Sequence, residues 1–470
     1  MELIQCRVAV PPMPREVSIL HCLTREQLQT VARVHLSAVL AGKKRSELAS
    51  ALKRGGIADR DLLAHLSRDE LKGLCRKLGL SDIGQKKDVL RVRILRYSSA
   101  PKLRREIRTT LRSQGFRVTR DEISLPKEVS KERLREIHKL AVQHRRKRSK
   151  DGLFRKENIL LKRIANGADV APEKICPRLI EVKSGTEDEL LFRYVGLHWS
   201  IPVSSGYGRR LRFLVEDESN GKLIGVIGLG DPVFGIGPRD NWIGWNVSDR
   251  RERLRNVMDA FVLGAVPPYS RLLCGKLIAL LATSSEVRDA FRRKYDRRVS
   301  IIRGESLSAK LALVTTTSAL GRSSVYNRLK DGERQAFKSV GFTQGSGEFQ
   351  FLNGVYDSMV EYAGDCLVAT AKHNDWGTGF RNRREVVKKC LADLGLNGDW
   401  LYHGIRREIF VAPLARNTRQ YLCGEHKKLL WHNRSLADLF SYFRERWLLP
   451  RAARDPRYRA FLRNEYVLWD

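Results

Sequence analysis

Long apolar runs are missing from this chain. No stretch approaches the about 20 apolar residues that cross a bilayer, and the opening "MELIQCRVAVPPMPREV" lacks the basic start and long apolar core of a secretory signal. Cysteine is sparse and scattered. The eight cysteines (Cys6, Cys22, Cys75, Cys176, Cys274, Cys366, Cys390, Cys423) form no CxxC and no Cys/His pair at zinc-finger spacing. That argues against a disulfide framework and a zinc site, and for reduced thiols in a cytoplasmic protein. Cys75 and Cys274 fall within helical apolar patterns and read as core residues. The nucleotide loop GxxxxGK[ST] is absent, which excludes a P-loop. Clustered carboxylates are lacking too: Asp231, Asp240 and Glu305 stand on different elements, so a metal nuclease is the weaker enzyme class and no metal ligands are assigned.

Negative charge is the scarcest commodity. Asp and Glu number 53 against 88 Lys and Arg, a net charge of +35. Such an excess attracts polyanions, with nucleic acid the first partner class and an acidic protein or an acidic membrane surface the alternatives. The length, 470 residues, implies roughly two to four domains, and a hydrophobic fraction of 42% supports real cores.

Near the start, "LTREQLQTVARVHLSAVLAGKKRSEL" and "LSRDELKGLCRKLGLSDIGQKKDVL" form an internal repeat. Each opens on an N-cap (Thr24, Ser67) before an acidic first turn, then places apolar residues at helical spacing: Leu28, Val31 and Ala32, and Leu71, Leu74 and Cys75. A glycine (Gly42, Gly84), a basic cluster (Lys43, Lys44, Arg45; Lys86, Lys87) and a second helix follow. Lysines beside a helix N-terminus suit phosphate; an ordinary helical hairpin with a solvated basic face is the alternative. From about Pro101 to Gly167 the chain reads as charged helices. There Arg145, Arg146, Lys147 and Arg148 form a dense run that either tracks a nucleic-acid backbone or is a solvated face.

From Ala171 strands, glycines and tryptophans appear. Leu211–Val215 and Leu223–Leu229, joined through Asn220-Gly221, predict a hairpin. "NWIGWNV" reads as a strand, and "AFVLGAVPPYSRLLCGKLIALLATSS" as a strand, a Pro-Pro break and a helix from Ser270. "LALVTTTS" reads as a buried strand, "SSVYNRL" as a short helix and "FKSVGFTQG" as a last strand. The pattern predicts an antiparallel sheet with intervening helices, an α/β or α+β class.

Several long motifs then carry resemblances. The N-terminal helix, Gly-x-Lys turn and helix is similar to the SAP motif, which implies DNA contact through the turn lysines. "FRYVGLHWSIPVSSGYGRRLRFLV", "GKLIGVIGLGDPVF", "RDNWIGW", "VLGAVPPYSRLLCGKL" and "LVTTTSALGRSSVYNRL" with "GFTQGSGEF" together resemble the DruA family of Druantia anti-phage systems. That implies a bacterial antiviral role beside other defence proteins, including a large helicase. The element order is also similar to the GNAT acyltransferase fold, which implies a mixed sheet with flanking helices, a strand that splays before the Pro break, and a cofactor pyrophosphate at Pro267 to Gly275. That loop offers only Arg271 and Gly275 where acyl-CoA loops carry Arg or Gln and paired glycines, a departure that argues against acyl-CoA and leaves the cofactor unassigned. The phage Mom protein, a relative of that fold, implies that a base-modifying transferase is one outcome.

The expected architecture is therefore α+β: tandem SAP-like helices over 1–100, a basic helical linker over 101–170, a DruA-type, GNAT-like domain over 171–352 and a basic, mainly helical C-terminal domain over 353–470. Candidate catalytic residues are Tyr326, on a helix that in the GNAT fold often supplies a general acid, His198 beside Trp199, and Asp240. Thr315, Thr316, Thr317, Ser323, Ser324, Asn327, Arg239, Trp245 and Arg271 are expected to line a cleft. Alternatively, the threonines satisfy local backbone, Ser323 or Ser324 caps a helix, and His198 and one tryptophan are structural. The expected partner is double-stranded DNA, and the function either a recognition subunit that loads defence machinery or a DNA-modifying enzyme.

Overall fold

The computed structural model of the chain describes residues 18–36, 43–84, 86–119, 122–125, 130–204, 208–296, 304, 308–370, 376, 380–396 and 398–469. Gly42, Glu305 and residues 205–207 lie outside them. The chain divides into two units, neither continuous in sequence: Met1–Pro126 with Gly347–His403, and Lys127–Ser346 with Gly404–Asp470. The boundary between Ser346 and Gly347 lies close to the division expected near 352, whereas the others fall after Pro126 and His403.

The first unit is helical. It contains α1 (Arg25–His35), α2 (Arg45–Arg54), α3 (Asp59–Ala64), α4 (Arg68–Lys77) and the long α5 (Lys87–Ser113), which runs through Pro101. Thr24 and Ser67 each close a capping box with the residue three ahead, Gln27 and Glu70. Those two N3 residues, 43 positions apart, also hydrogen-bond one another, Gln27 Nε2 donating to Glu70 Oε1 at 3.0 Å. Equivalent points of the repeat thus meet, while Leu28, Val31 and Ala32 and their counterparts Leu71, Leu74 and Cys75 are buried. A later helix, Val355–Cys366, joins this unit because its residues bond to α5: Ser358 Oγ donates to Glu106 and Arg96 donates to the Cys366 carbonyl.

The second unit is built on a seven-stranded sheet: β1 (Pro177–Glu181), β2 (Arg210–Asp217), β3 (Lys222–Gly230), β4 (Val257–Ala265), β5 (Leu313–Thr317), β6 (Lys338–Phe342) and β7 (Glu408–Pro413). Their order is β1-β2-β3-β4-β5-β7-β6. Every neighbouring pair is antiparallel except β4 and β5, so the sheet is mixed rather than antiparallel throughout. Its helices include α6 (Lys131–Leu153), α7 (Glu187–Val195), α8 (Gly237–Ile243), α9 (Val247–Arg253), α10 (Cys274–Leu281) and α11 (Ser285–Tyr295). A parallel pair needs a crossover, and α10 and α11 supply it. Alternate residues of β2 enter different cores, Phe213 and Val215 on one face and Leu214 on the other, so the sheet is covered on both sides.

Three local readings are corrected. "NWIGW" lies in α8 and the turn after it, not in a strand: Pro238 stands in the first turn, Asp240 accepts from the Ile236 N–H, and Gly244 at φ +96° ends the helix. The crossover helix begins at Cys274 rather than Ser270, because Tyr269–Leu272 forms a 3-10 turn and Leu273 adopts φ +62°. "SSVYNRL" is a turn, not a helix. The region 353–470 is likewise no separate domain, since β7 enters the sheet between β5 and β6.

Candidate functional site

The parallel pair gathers several of the candidate residues. β4 and β5 are in register from Val257 against Leu313 to Ala260 against Thr316. β5 ends at Thr317, whereas β4 continues to Ala265 paired with β3 alone, and Phe261 is an extra residue opposite the Gly228–Leu229 step. A bulge of this kind bends its strand. It falls where the two strands part.

Asp259 sits at that point. Thr315 Oγ1 donates to its Oδ1 at 2.7 Å, and Thr316 Oγ1 donates to the Ala260 carbonyl at 2.9 Å. Thr315 and Thr316 therefore work on different partners, as alternation along a strand requires. Burial pushes the Asp259 carboxyl up to about 6, against the opposing pull of Thr315 and the positive charge of Arg239. Tyr326 lies on the turn after β5, half-buried, with its ring 5.1 Å from Phe337 and 5.2 Å from Phe410. Burial pushes its phenol up to about 12; a hydrogen bond with Thr316 opposes the shift and the Asp259 charge adds to it. Ser323 Oγ caps the turn by accepting from the N–H groups of Val325 and Tyr326, and its own N–H donates to buried Glu408. Ser324 is exposed and Asn327 half-buried on the same turn, and Thr317 is half-buried at the end of β5.

The remaining candidates lie elsewhere. Asp240 is enclosed: Arg239 Nε (2.8 Å), Arg250 Nη1 (2.7 Å) and the Ile236 N–H (3.0 Å) all donate to it. Trp245 is core, donating to the Leu422 carbonyl at 2.7 Å, with Arg239 at 5.8 Å from its ring centre. His198 stacks on Tyr466 at 3.5 Å, and burial together with Arg146 pushes its imidazole down to about 3. It is neutral near pH 7 and a weak base. The three catalytic candidates thus occupy three separate surroundings, and Tyr326 alone adjoins the parting strands.

Arg271 does not fit a pyrophosphate seat. Its guanidinium donates to the Arg457 carbonyl at 2.7 Å, and Arg451 donates to its own carbonyl at 3.1 Å. At the start of α10, Lys276 reaches the Val325 carbonyl at 3.4 Å and the Trp447 ring at 5.5 Å. Residues late in the chain, Arg451, Arg457 and Trp447, thus pack against Arg271 and Lys276.

Among the basic candidates, Lys43, Lys44, Lys86, Lys147 and Arg148 are exposed. Arg45 donates to the carbonyls of Leu23 and His21, and Lys87 to that of Ala64, so both hold the helices together. Arg146 donates to the Leu197 carbonyl, and Arg145 is half-buried, its pKa lowered by burial and by Arg193. The sequence reading missed Asp259 and Glu408. Asp259 did leave a signal, a lone carboxylate in the otherwise apolar "VMDAFVLGA".

The model of the family described as Druantia protein DruA matches residues 128–424, well over half of the chain. The chain belongs to the DruA family. A family relative, Druantia protein DruA of Escherichia coli (strain UMEA 4076-1), is 42% identical over 360 residues, covering 76% of this chain and 89% of the relative. No solved structure matches. The matched span takes in β1 to β7 with Asp259 and Tyr326, and the N-terminal helical repeat lies before it. Among the described residues no helix is long and apolar enough to cross a membrane.

Proposed function

We propose that this chain is the DNA-engaging component of a Druantia-type bacterial anti-phage system, loading onto double-stranded DNA with partner proteins such as a helicase. The observation that carries the reading is the pair Lys44 and Lys86. Each is exposed, and each is the N-cap residue of the second helix of its SAP-like copy, α2 and α5. A helix start presents backbone N–H groups, and a flanking ammonium adds charge, the combination that receives phosphate. The net charge of +35 draws a polyanion to both.

The test is a salt titration of binding to a duplex. Wild type is expected to bind at low ionic strength with a steep loss as salt rises. Lys44→Glu with Lys86→Glu reduces the logarithmic salt slope by about 2, one unit for each phosphate lost. Absence of salt-sensitive binding removes the reading.

A second reading, a GNAT-like transferase acting on DNA bases, is favoured by one observation: the parallel pair of the sheet parts beside Asp259 and Tyr326. A carboxyl titrating near 6 suits proton abstraction near neutrality, and a phenol suits proton return to a leaving group. Mass spectrometry of nucleosides from DNA incubated with the protein and cell extract tests it. A new nucleoside with wild type, lost in Tyr326→Phe, supports the transferase. Unmodified DNA together with intact phage protection in Tyr326→Phe removes it.

A further inference from the structure

The loop at 231–236, between β3 and α8, is held in an unusual way. Val233 and Phe234 are adjacent, large and apolar, yet each is 46% exposed. Beneath them lies Arg239, fully buried, whose Nη1 and Nη2 donate to the Val233 and Phe234 carbonyls at 2.9 Å each. Its Nε bonds to Asp240, which also accepts from the Ile236 N–H and from Arg250. The Arg250 guanidinium lies 5.3 Å from the Phe234 ring centre. Val247, three residues earlier on α9 and 49% exposed, extends the apolar surface. The loop's other end is fixed as well: Arg209 donates to Asp231 through its N–H at 2.9 Å and its Nε at 2.7 Å.

A buried guanidinium is expensive to desolvate, and an ordinary surface turn needs none. Here it draws two successive carbonyls inward, which turns the Val233 and Phe234 side chains outward. The arrangement is a rigid apolar tip framed by arginine. On a chain of net charge +35 the occupant of complementary charge is a polyanion, and the polyanion with apolar faces to offer is nucleic acid. Apolar side chains on DNA-binding proteins enter a duplex between base steps and partly unstack them.

We propose that Val233 and Phe234 form a wedge that inserts between stacked bases of double-stranded DNA. The wedge rests on the DNA-binding reading above and gives it a second element: lysines that hold phosphate and an aromatic tip that tests how easily a step opens. Flexible pyrimidine–purine steps and mismatches are the preferred sites, since they cost least to unstack.

The experiment uses the full chain and a duplex with 2-aminopurine beside a TA step, read by fluorescence as the protein is titrated in. Wild type is expected to raise the signal several-fold on binding. Phe234→Ala keeps the salt slope, weakens binding roughly ten-fold and loses the rise, and Phe234→Trp retains it. Salt-sensitive binding by wild type without a rise, or an unchanged rise in Phe234→Ala, overturns the wedge and leaves the phosphate contacts standing. Absence of salt-sensitive binding overturns the DNA reading and the wedge with it.

Discussion

Asp259→Asn is expected to stabilise the sheet at neutral pH and to change little in acid. The folded environment raises this carboxyl from 3.8 to about 6, so the folded chain binds its proton more tightly than the unfolded chain does. The stabilisation that follows is complete below the unfolded value and is lost as pH rises through the folded one. A shift of about two units is worth about 3 kcal/mol. Asparagine mimics the protonated state in charge, and its amide oxygen still accepts from Thr315 Oγ1. Variant and wild type should therefore coincide below the unfolded value of 3.8, diverge between it and about 6, and differ by a constant amount above that, the variant being the more stable. Hydrogen exchange of peptides from β4 and β5 isolates this sheet from the helical unit, and at pH 7.5 the variant should exchange roughly a hundred-fold more slowly where opening is global. A difference that stays constant from acid to neutral pH would refute the argument. It would also deprive the transferase reading of its near-neutral base.

Two further outcomes follow from packing. Gly264→Val sets a Cβ 2.1 Å from Trp199 Cζ2, and the forced rearrangement is expected to cost about 1–3 kcal/mol, read as a lower urea midpoint. Tyr326→Phe keeps the ring against Phe337 and Phe410 and removes only the hydroxyl. Its unfolding free energy should fall by about 1 kcal/mol or less, so any loss of function in that variant reports the phenol rather than the fold.

Local chemistry was legible in the sequence, and remote pairing was not. The β2–β3 hairpin follows from Asn220-Gly221, with Gly221 at φ +67°, and the helical repeat follows from capping signals recurring at a fixed period. In α8 the aromatic and β-branched pair Trp242-Ile243 imitated a strand, although Pro238 and Gly244 were the start and stop signals of a helix. The apolar run that becomes β7 reads as a strand, but nothing local reveals that it pairs with β5. Asp259 was hidden for the same reason. Its carboxyl is raised by burial, and that burial comes from pairing with a strand distant in sequence, which no pattern within β4 carries.

The two halves of the proposed function make different demands on the same chain. A binding subunit needs exposed cations and a presented tip, and neither requires a half-buried carboxylate where two strands part. Asp259 is held there by the Thr315 hydroxyl, at a stability cost above pH 6, while Arg271 is engaged by the Arg457 carbonyl and the Arg451 side chain. On the DNA-binding reading proposed above, the ligand that meets this acid is the nucleic acid itself. Asp259 then acts either on a base or as its hydrogen-bond partner. Those alternatives separate in one variant: Asp259→Asn preserves a hydrogen-bonding site and abolishes proton abstraction, so full phage protection by Asp259→Asn means recognition and its loss in a stably folded protein means chemistry.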